Sequence, residues 1–121
     1  MIIRCGVDII EISRIREALT CRGDRFVRRI CTPSEREVQQ IDPEFLAARF
    51  AGKEAVMKAL GGEGVWLSWQ DIEILSESSG RPVVNLLGEA LKRSQELGIQ
   101  HLEISLSHSR ENAVAFVIGT F

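Results

Sequence analysis

The stretch from Asp42-Pro43 to Gly61-Gly62 constrains the fold more than any other. Asp42 is an N-cap candidate, Pro43 suits the first helical position, and the paired glycines predict a left-handed stop. The helix between them runs to about Leu60. Phe45, Leu46, Phe50, Val56, Met57, Ala59 and Leu60 leave it apolar nearly all round, so it must be buried on most sides.

The flanking segments supply the cover. Ile2 to Ile10 is rich in β-branched residues and reads as a strand. Ile12, Ile15 and Leu19 follow at helical spacing up to Gly23, and Phe26 to Ile30 makes a short helical turn. Thr32-Pro33-Ser34-Glu35 places a cap candidate before proline, predicting a short helix over Pro33–Gln40. After the long helix, Val65–Leu67, Asp71–Leu75 and Val83–Leu87 read as strands, the last two joined by a Ser78-to-Pro82 turn. Gly88–Leu97 reads as a helix stopped by Gly98. His101–Ser107 alternates, turns through Ser109–Asn112, and returns as Ala113–Ile118. The fold class is α+β with a largely antiparallel sheet, as a single domain over 1–121.

Length and composition agree with that. The 121 residues suffice for one core without staples, and 45% apolar with 26% charged residues argues against disorder. Cys5, Cys21 and Cys31 are odd in number and form no CxxC pair, so free thiols in a reducing compartment are expected. With only His101 and His108 beside them, a Cys/His zinc site is not expected. The N-terminal apolar runs are too short and interrupted for a signal peptide or a membrane span, which points to the cytoplasm.

The net charge of −2 hides an asymmetry. Residues 14 to 29 hold Arg14, Arg16, Arg22, Arg25, Arg28 and Arg29 against only Glu17 and Asp24. This is either a solvated helical face or a docking patch for an acidic partner. It lacks interleaved aromatics, and the rest of the chain is acidic, so nucleic acid is not the expected partner.

On the long helix, Ala47, Ala51, Glu54 and Lys58 share one stripe. Glu54 and Lys58 read either as an ordinary i,i+4 surface pair or as a site lying over small alanines. Arg49 and Lys53 are like charges at the same spacing, a repulsion that an anion would relieve. Asp8 sits between Val7 and Ile9, where an unpaired carboxylate is costly. Asp8 and Glu54 together offer two hard oxygen ligands, which suits Mg²⁺ completed by water and phosphate. Ser105, Ser107 and His108 end a strand beside a turn, where polar groups can reach a ligand; His108 by itself reads equally as a capping or core histidine. Gly61, Gly62 and Gly64 permit close backbone approach to one.

These segments resemble a known family. Cys5-Gly-Val-Asp-Ile-Ile-Glu-Ile-Ser-Arg-Ile15 is similar to the opening G-x-D-I-x-x-x-x-R-I of holo-[acyl-carrier-protein] synthases. Ala48-Arg-Phe-Ala-Gly-Lys-Glu-Ala-Val-Met-Lys-Ala-Leu-Gly61 is similar to their R-F-A-A-K-E-A-x-x-K-A-L-G. Asp71-Ile-Glu-Ile, Gly80-Arg-Pro82, Ser105-Leu-Ser-His108 and Ala113-Val-Ala-Phe-Val-Ile118 follow in the family's order. The resemblance covers essentially the whole chain. Departures are Gly52 for the common alanine, Cys31 for phenylalanine, and Trp66 and Trp69 in a loop usually less aromatic.

The resemblance implies transfer of the 4′-phosphopantetheine arm of coenzyme A to a serine of apo acyl carrier protein, with release of adenosine 3′,5′-bisphosphate. It implies a homotrimer with sites between subunits. By the same resemblance Asp8 and Glu54 bind Mg²⁺ and are catalytic with Lys58. Arg49, Lys53, Lys58, Gly61, Pro82, Ser107 and His108 contact coenzyme A, and Arg14, Arg22, Arg25 and Arg28 contact the carrier. Either Glu54 or a water on the metal could take the serine proton. The competing readings are a carrier-binding module without catalysis, which would not need Asp8 or Glu54, and a Mg²⁺-dependent phosphohydrolase, which would need no protein acceptor.

Overall fold

The computed structural model describes residues 3–38, 40–61 and 65–121. Strand β1 (Arg4–Glu11) leads into helices α1 (Ile12–Arg22) and α2 (Asp24–Ile30). The long helix α3 (Pro43–Leu60) follows, then the hairpin β2 (Ile72–Ser76) and β3 (Pro82–Leu86). Helix α4 (Gly88–Leu97) and the hairpin β4 (His101–His108) and β5 (Asn112–Thr120) complete the chain. Every strand pairing is antiparallel, in a sheet ordered β1-β5-β4 and a separate β2-β3 ribbon. The α+β expectation therefore holds.

Helix α3 organises the core. Asp42 caps it by accepting from the Phe45 N–H at 2.7 Å, with Pro43 in the first turn. Leu46 and Ala47 pack with Ile12, Ile15, Val27, Ile30 and Ala113. One to three turns later, Ala51, Ala55, Val56, Ala59 and Leu60 pack with Ile72, Ile74, Ala115 and Val117. The helix thus bridges both cores, as its all-round apolarity requires. Small residues let the sheet come close. A Cβ on Gly6 would lie 1.9 Å from the Ala55 carbonyl oxygen, so only glycine fits there.

Several local expectations are corrected. Among the described residues of Pro33–Gln40, only Glu35–Glu37 is helical, as a 3₁₀ turn, and Val38 is already extended. Thr32 and Glu35 make a reciprocal capping box instead, at 2.8 and 3.3 Å, which turns the Glu35 side chain inward. Val65–Leu67 is irregular rather than a strand. Gly61 is not left-handed, with φ −70° and ψ −177°. Its place is set by space, since a Cβ would lie 2.8 Å from the Met57 carbonyl oxygen. Gly62 and Gly64 lie outside the described residues. The left-handed stop does occur at Gly98, after α4 (φ 77°).

The register sorts the sheet faces. Gly6, Asp8 and Ile10 of β1 turn toward α3 with Ala113, Ala115 and Val117 of β5. Cys5, Val7 and Ile9 point outward beside Phe116, which pairs with Val7. Asp8 thus faces in while its apolar neighbours Val7 and Ile9 face solvent. Among the described residues, no helix is long and apolar enough to cross a membrane.

Candidate active site

Asp8 reaches α3. The Lys58 ammonium donates to the Val7 carbonyl at 2.9 Å and lies 3.2 Å from the Asp8 carboxylate. The Asp8 side chain is 18% exposed and that of Lys58 57%. Lys58 therefore does not form the i,i+4 pair with Glu54 that spacing alone allows. Glu54 lies one turn earlier on α3, and no ion pair among the described residues involves it. It lines a cavity of about 510 Å³ with Arg28, Arg29, Met57, Trp69 and Gln70.

A second group forms around Arg49. A cavity of about 590 Å³ is lined by Arg49, Pro82, Ser107 and His108, with Phe45 and Leu106. Asp8, Glu54 and Lys58 are not part of its lining. Arg49 is only 8% exposed. Its guanidinium lies 4.3 Å over the Phe45 ring and donates to the Ser76 hydroxyl at 2.8 Å. Burial pulls its pKa below the ordinary arginine range, opposed by the Glu35 carboxylate. Its Nε is buried with no hydrogen-bond partner among the described residues. A buried cation with a spare donor fits an anion. Ser107 and His108 are exposed at the end of β4, and His108 Nδ1 lies 3.3 Å from the Ser109 carbonyl oxygen.

The expected contact of Lys53 with phosphate is corrected. Lys53 is fully buried, and its three N–H donors go to the carbonyls of Ile30 (2.5 Å) and Trp69 (2.9 Å) and to Glu35 (2.6 Å). The anion that relieves the Arg49–Lys53 repulsion is Glu35. Gly61 presents its carbonyl to Arg4 at 2.9 Å and Arg93 at 3.4 Å. These two arginines also take the Ala59 and Leu60 carbonyls, so they cap α3. Sequence patterning did not single out Arg4, Arg93, Glu35 or Gln70. The Thr32-x-x-Glu35 spacing was a visible signal for Glu35, while the others act over long sequence separations.

Arg14, Arg22, Arg25 and Arg28 are all exposed on α1 and α2. Arg28 pairs with Asp24 at 2.5 Å, and Arg16 with Glu44 at 3.2 Å. Trp69 packs 5.5 Å from Phe50 with the Arg29 guanidinium 5.6 Å over its ring, whereas Trp66 is 89% exposed. The Gly52 departure has a cause: a Cβ there would lie 2.5 Å from the Ile74 Cδ1.

Residues 4–117 match the family model described as the 4′-phosphopantetheinyl transferase superfamily. The holo-[acyl-carrier-protein] synthase of Herpetosiphon aurantiacus is 44% identical over 121 residues, covering 94% of this chain and 95% of the relative. That of Natranaerobius thermophilus is 46% identical over 123 residues, covering 98% and 97%. The crystal structure of the Helicobacter pylori holo-[acyl-carrier-protein] synthase in complex with coenzyme A superposes with a TM-score of 0.84 at 32% identity, covering 96% of this chain and 99% of that one. The chain belongs to the 4′-phosphopantetheinyl transferase superfamily, among its holo-[acyl-carrier-protein] synthases.

Proposed function

We propose that the chain transfers 4′-phosphopantetheine from coenzyme A to a serine hydroxyl of apo acyl carrier protein, with Mg²⁺, releasing adenosine 3′,5′-bisphosphate. The observation that carries the reading is the inward Asp8 carboxylate held by Lys58, one turn from Glu54. The named relatives support the reaction class.

The donor set fits the metal. No group of three or more His, Cys, Asp or Glu that could hold an ion occurs among the described residues. Two carboxylates leave most positions to water and phosphate oxygens, the arrangement Mg²⁺ favours. Asp8 and Glu54 would hold it, and it would neutralise charge on the pyrophosphate. The serine oxygen forms a bond to the β-phosphorus as its proton passes to Glu54 or to water, and the bond from that phosphorus to the bridging oxygen breaks, with the pair leaving on the nucleotide. Such transfer depends on placement and charge more than on covalent help from the protein. Lys58 meets the leaving phosphate, and Arg49 with His108 takes the nucleotide phosphates. The exposed arginines of α1 and α2 attract an acidic carrier.

The two groups of residues meet when copies assemble. Ile3, Val7, Ile9 and Phe116 form an exposed apolar face on the outer side of the sheet. Covering it in a homotrimer would set Asp8, Glu54 and Lys58 of one protomer against the Arg49 cavity of the next. The free thiols support a cytoplasmic setting.

The deciding experiment incubates the protein with coenzyme A, Mg²⁺ and apo carrier proteins, and reads carrier mass. A gain equal to the arm, abolished by chelator, is expected. Release of nucleotide without a carrier adduct would replace this reading with a phosphohydrolase.

A further inference from the structure

Helix α2 is seven residues long, too short to hold itself together, and its last carbonyls have no partners within the helix. The Val27 carbonyl accepts from the Cys31 N–H at 2.8 Å, and side chains from outside take the other three. The Gln70 amide nitrogen lies 2.7 Å from the Arg28 carbonyl oxygen, 3.1 Å from that of Arg29 and 2.9 Å from that of Cys31. The Ile30 carbonyl between them accepts from the Lys53 ammonium at 2.5 Å. Two side chains from distant parts of the chain thus cap the end of α2.

Both caps are themselves anchored. Lys53 precedes Glu54 on α3, and its charge is balanced by Glu35, which also accepts from the Ile74 N–H at 2.8 Å. Gln70 follows Trp69, whose carbonyl takes the third Lys53 donor at 2.9 Å. The Arg29 guanidinium rests on the Trp69 ring. Arg28, Arg29, Glu54, Trp69 and Gln70 then line one cavity of about 510 Å³.

We infer that Gln70, Lys53 and Glu35 are positioning residues that clamp the end of α2 to α3, so that the α2 arginines and Glu54 face one cavity at a fixed separation. The inference rests on the proposed reading in one respect: the α2 arginines receive the carrier and Glu54 belongs to the reacting end. None of the three needs to touch substrate. Lys53 and Glu35 have no exposed surface with which to do so.

Gln70 is the residue to test, because it is only half-buried and its loss leaves no buried charge. Gln70→Ala removes the amide, and Gln70→Glu keeps the size but removes the donors. Hydrogen exchange of the full chain is expected to speed up across Asp24–Ile30 in both variants and to stay unchanged across Pro43–Leu60. In transfer assays the KM for the carrier is expected to rise about tenfold, with the KM for coenzyme A within about twofold, because a modest misplacement acts on the docked partner alone. Unchanged exchange in α2 overturns the clamp whatever the activity. Faster exchange with an unchanged carrier KM, or an equal rise in both KM values, overturns the positioning role. A wild-type chain that transfers nothing would instead count against the proposed function, and exchange would still judge the clamp.

Discussion

Lys58 binds Asp8 across the β1–α3 contact, 3.2 Å from its carboxylate, while its own side chain stays 57% exposed. A pair this exposed stabilises the fold little, roughly 0–1 kcal/mol. Its value lies in placing a cation and a carboxylate at the mouth of the contact. Lys58→Met is therefore expected to lower the transfer rate about a hundredfold or more while costing little stability. Asp8→Asn is expected to abolish transfer in a folded protein. Carrier mass-shift kinetics beside thermal melting check both, and near-normal turnover of Asp8→Asn would remove Asp8 from the site.

The Lys53–Glu35 pair is the opposite case, with both side chains fully buried. Removing one partner strands a charge in the core. Lys53→Met is expected to cost about 3–5 kcal/mol, and pairing it with Glu35→Gln is expected to recover a large part of that. Urea unfolding of the two single variants and the double variant measures the coupling. Additive losses would contradict a paired role.

Two glycines on the packed faces separate backbone contact from side-chain contact. Gly6→Ala brings a Cβ to 1.9 Å from the Ala55 carbonyl oxygen, which belongs to the helix backbone and has no room to retreat. That variant is expected to be recovered only as insoluble protein. Gly52→Ala meets the Ile74 Cδ1 at 2.5 Å, the movable end of a side chain. It is expected to fold at a cost of roughly 1–3 kcal/mol, and Ile74→Val should offset part of this. Soluble expression and melting temperature decide.

The backbone plan was legible because its signals are local. Asp42-Pro43, the apolar run to Leu60 and the alternation from His101 act within a few residues, and the structure follows them. Asp8 stood out for the same reason, as a carboxylate among β-branched residues. Lys53 was misread because its neighbours in sequence, Arg49 and Glu54, say nothing about Glu35, Ile30 and Trp69, which reach it through the fold. Gln70 and the α3-capping arginines Arg4 and Arg93 were hidden for that reason too. Gly61 carried two rules, a left-handed cap and close packing, and the contact with Met57 decided between them.

Cys31 makes stability fall at alkaline pH. Burial, assisted by the Glu35 charge, pushes its thiol from the usual 9.0 up to about 11. The unfolded chain then loses the proton from about pH 9 while the folded chain keeps it to about pH 11. In that window the native state binds more protons, so stability declines as pH rises; below it Cys31 has no effect. Urea midpoints across the window should show a decline that Cys31→Ala makes shallower. A thiol-reactive dye should label exposed Cys21 in the folded protein and Cys31 only after unfolding.

The outer sheet face offers the last test. Val7 is 53% exposed, Ile9 65% and Phe116 45%, and Val7 and Phe116 are direct partners in the β1–β5 register. None of the three packs into the core through that face, so a lysine at Val7 or Phe116 leaves the fold intact. In an assembly the same lysine would be buried without a partner, at a cost of several kcal/mol. Sedimentation is expected to show a trimer for the wild type and a monomer for Val7→Lys and Phe116→Lys. Transfer should be lost with the assembly, because the Arg49 cavity and the Asp8 group would then sit on separate molecules. Mixing either lysine variant with wild-type chains should not restore its share of the activity. A monomeric wild type that transfers the arm at full rate would refute the shared site and require the two groups to meet within one chain.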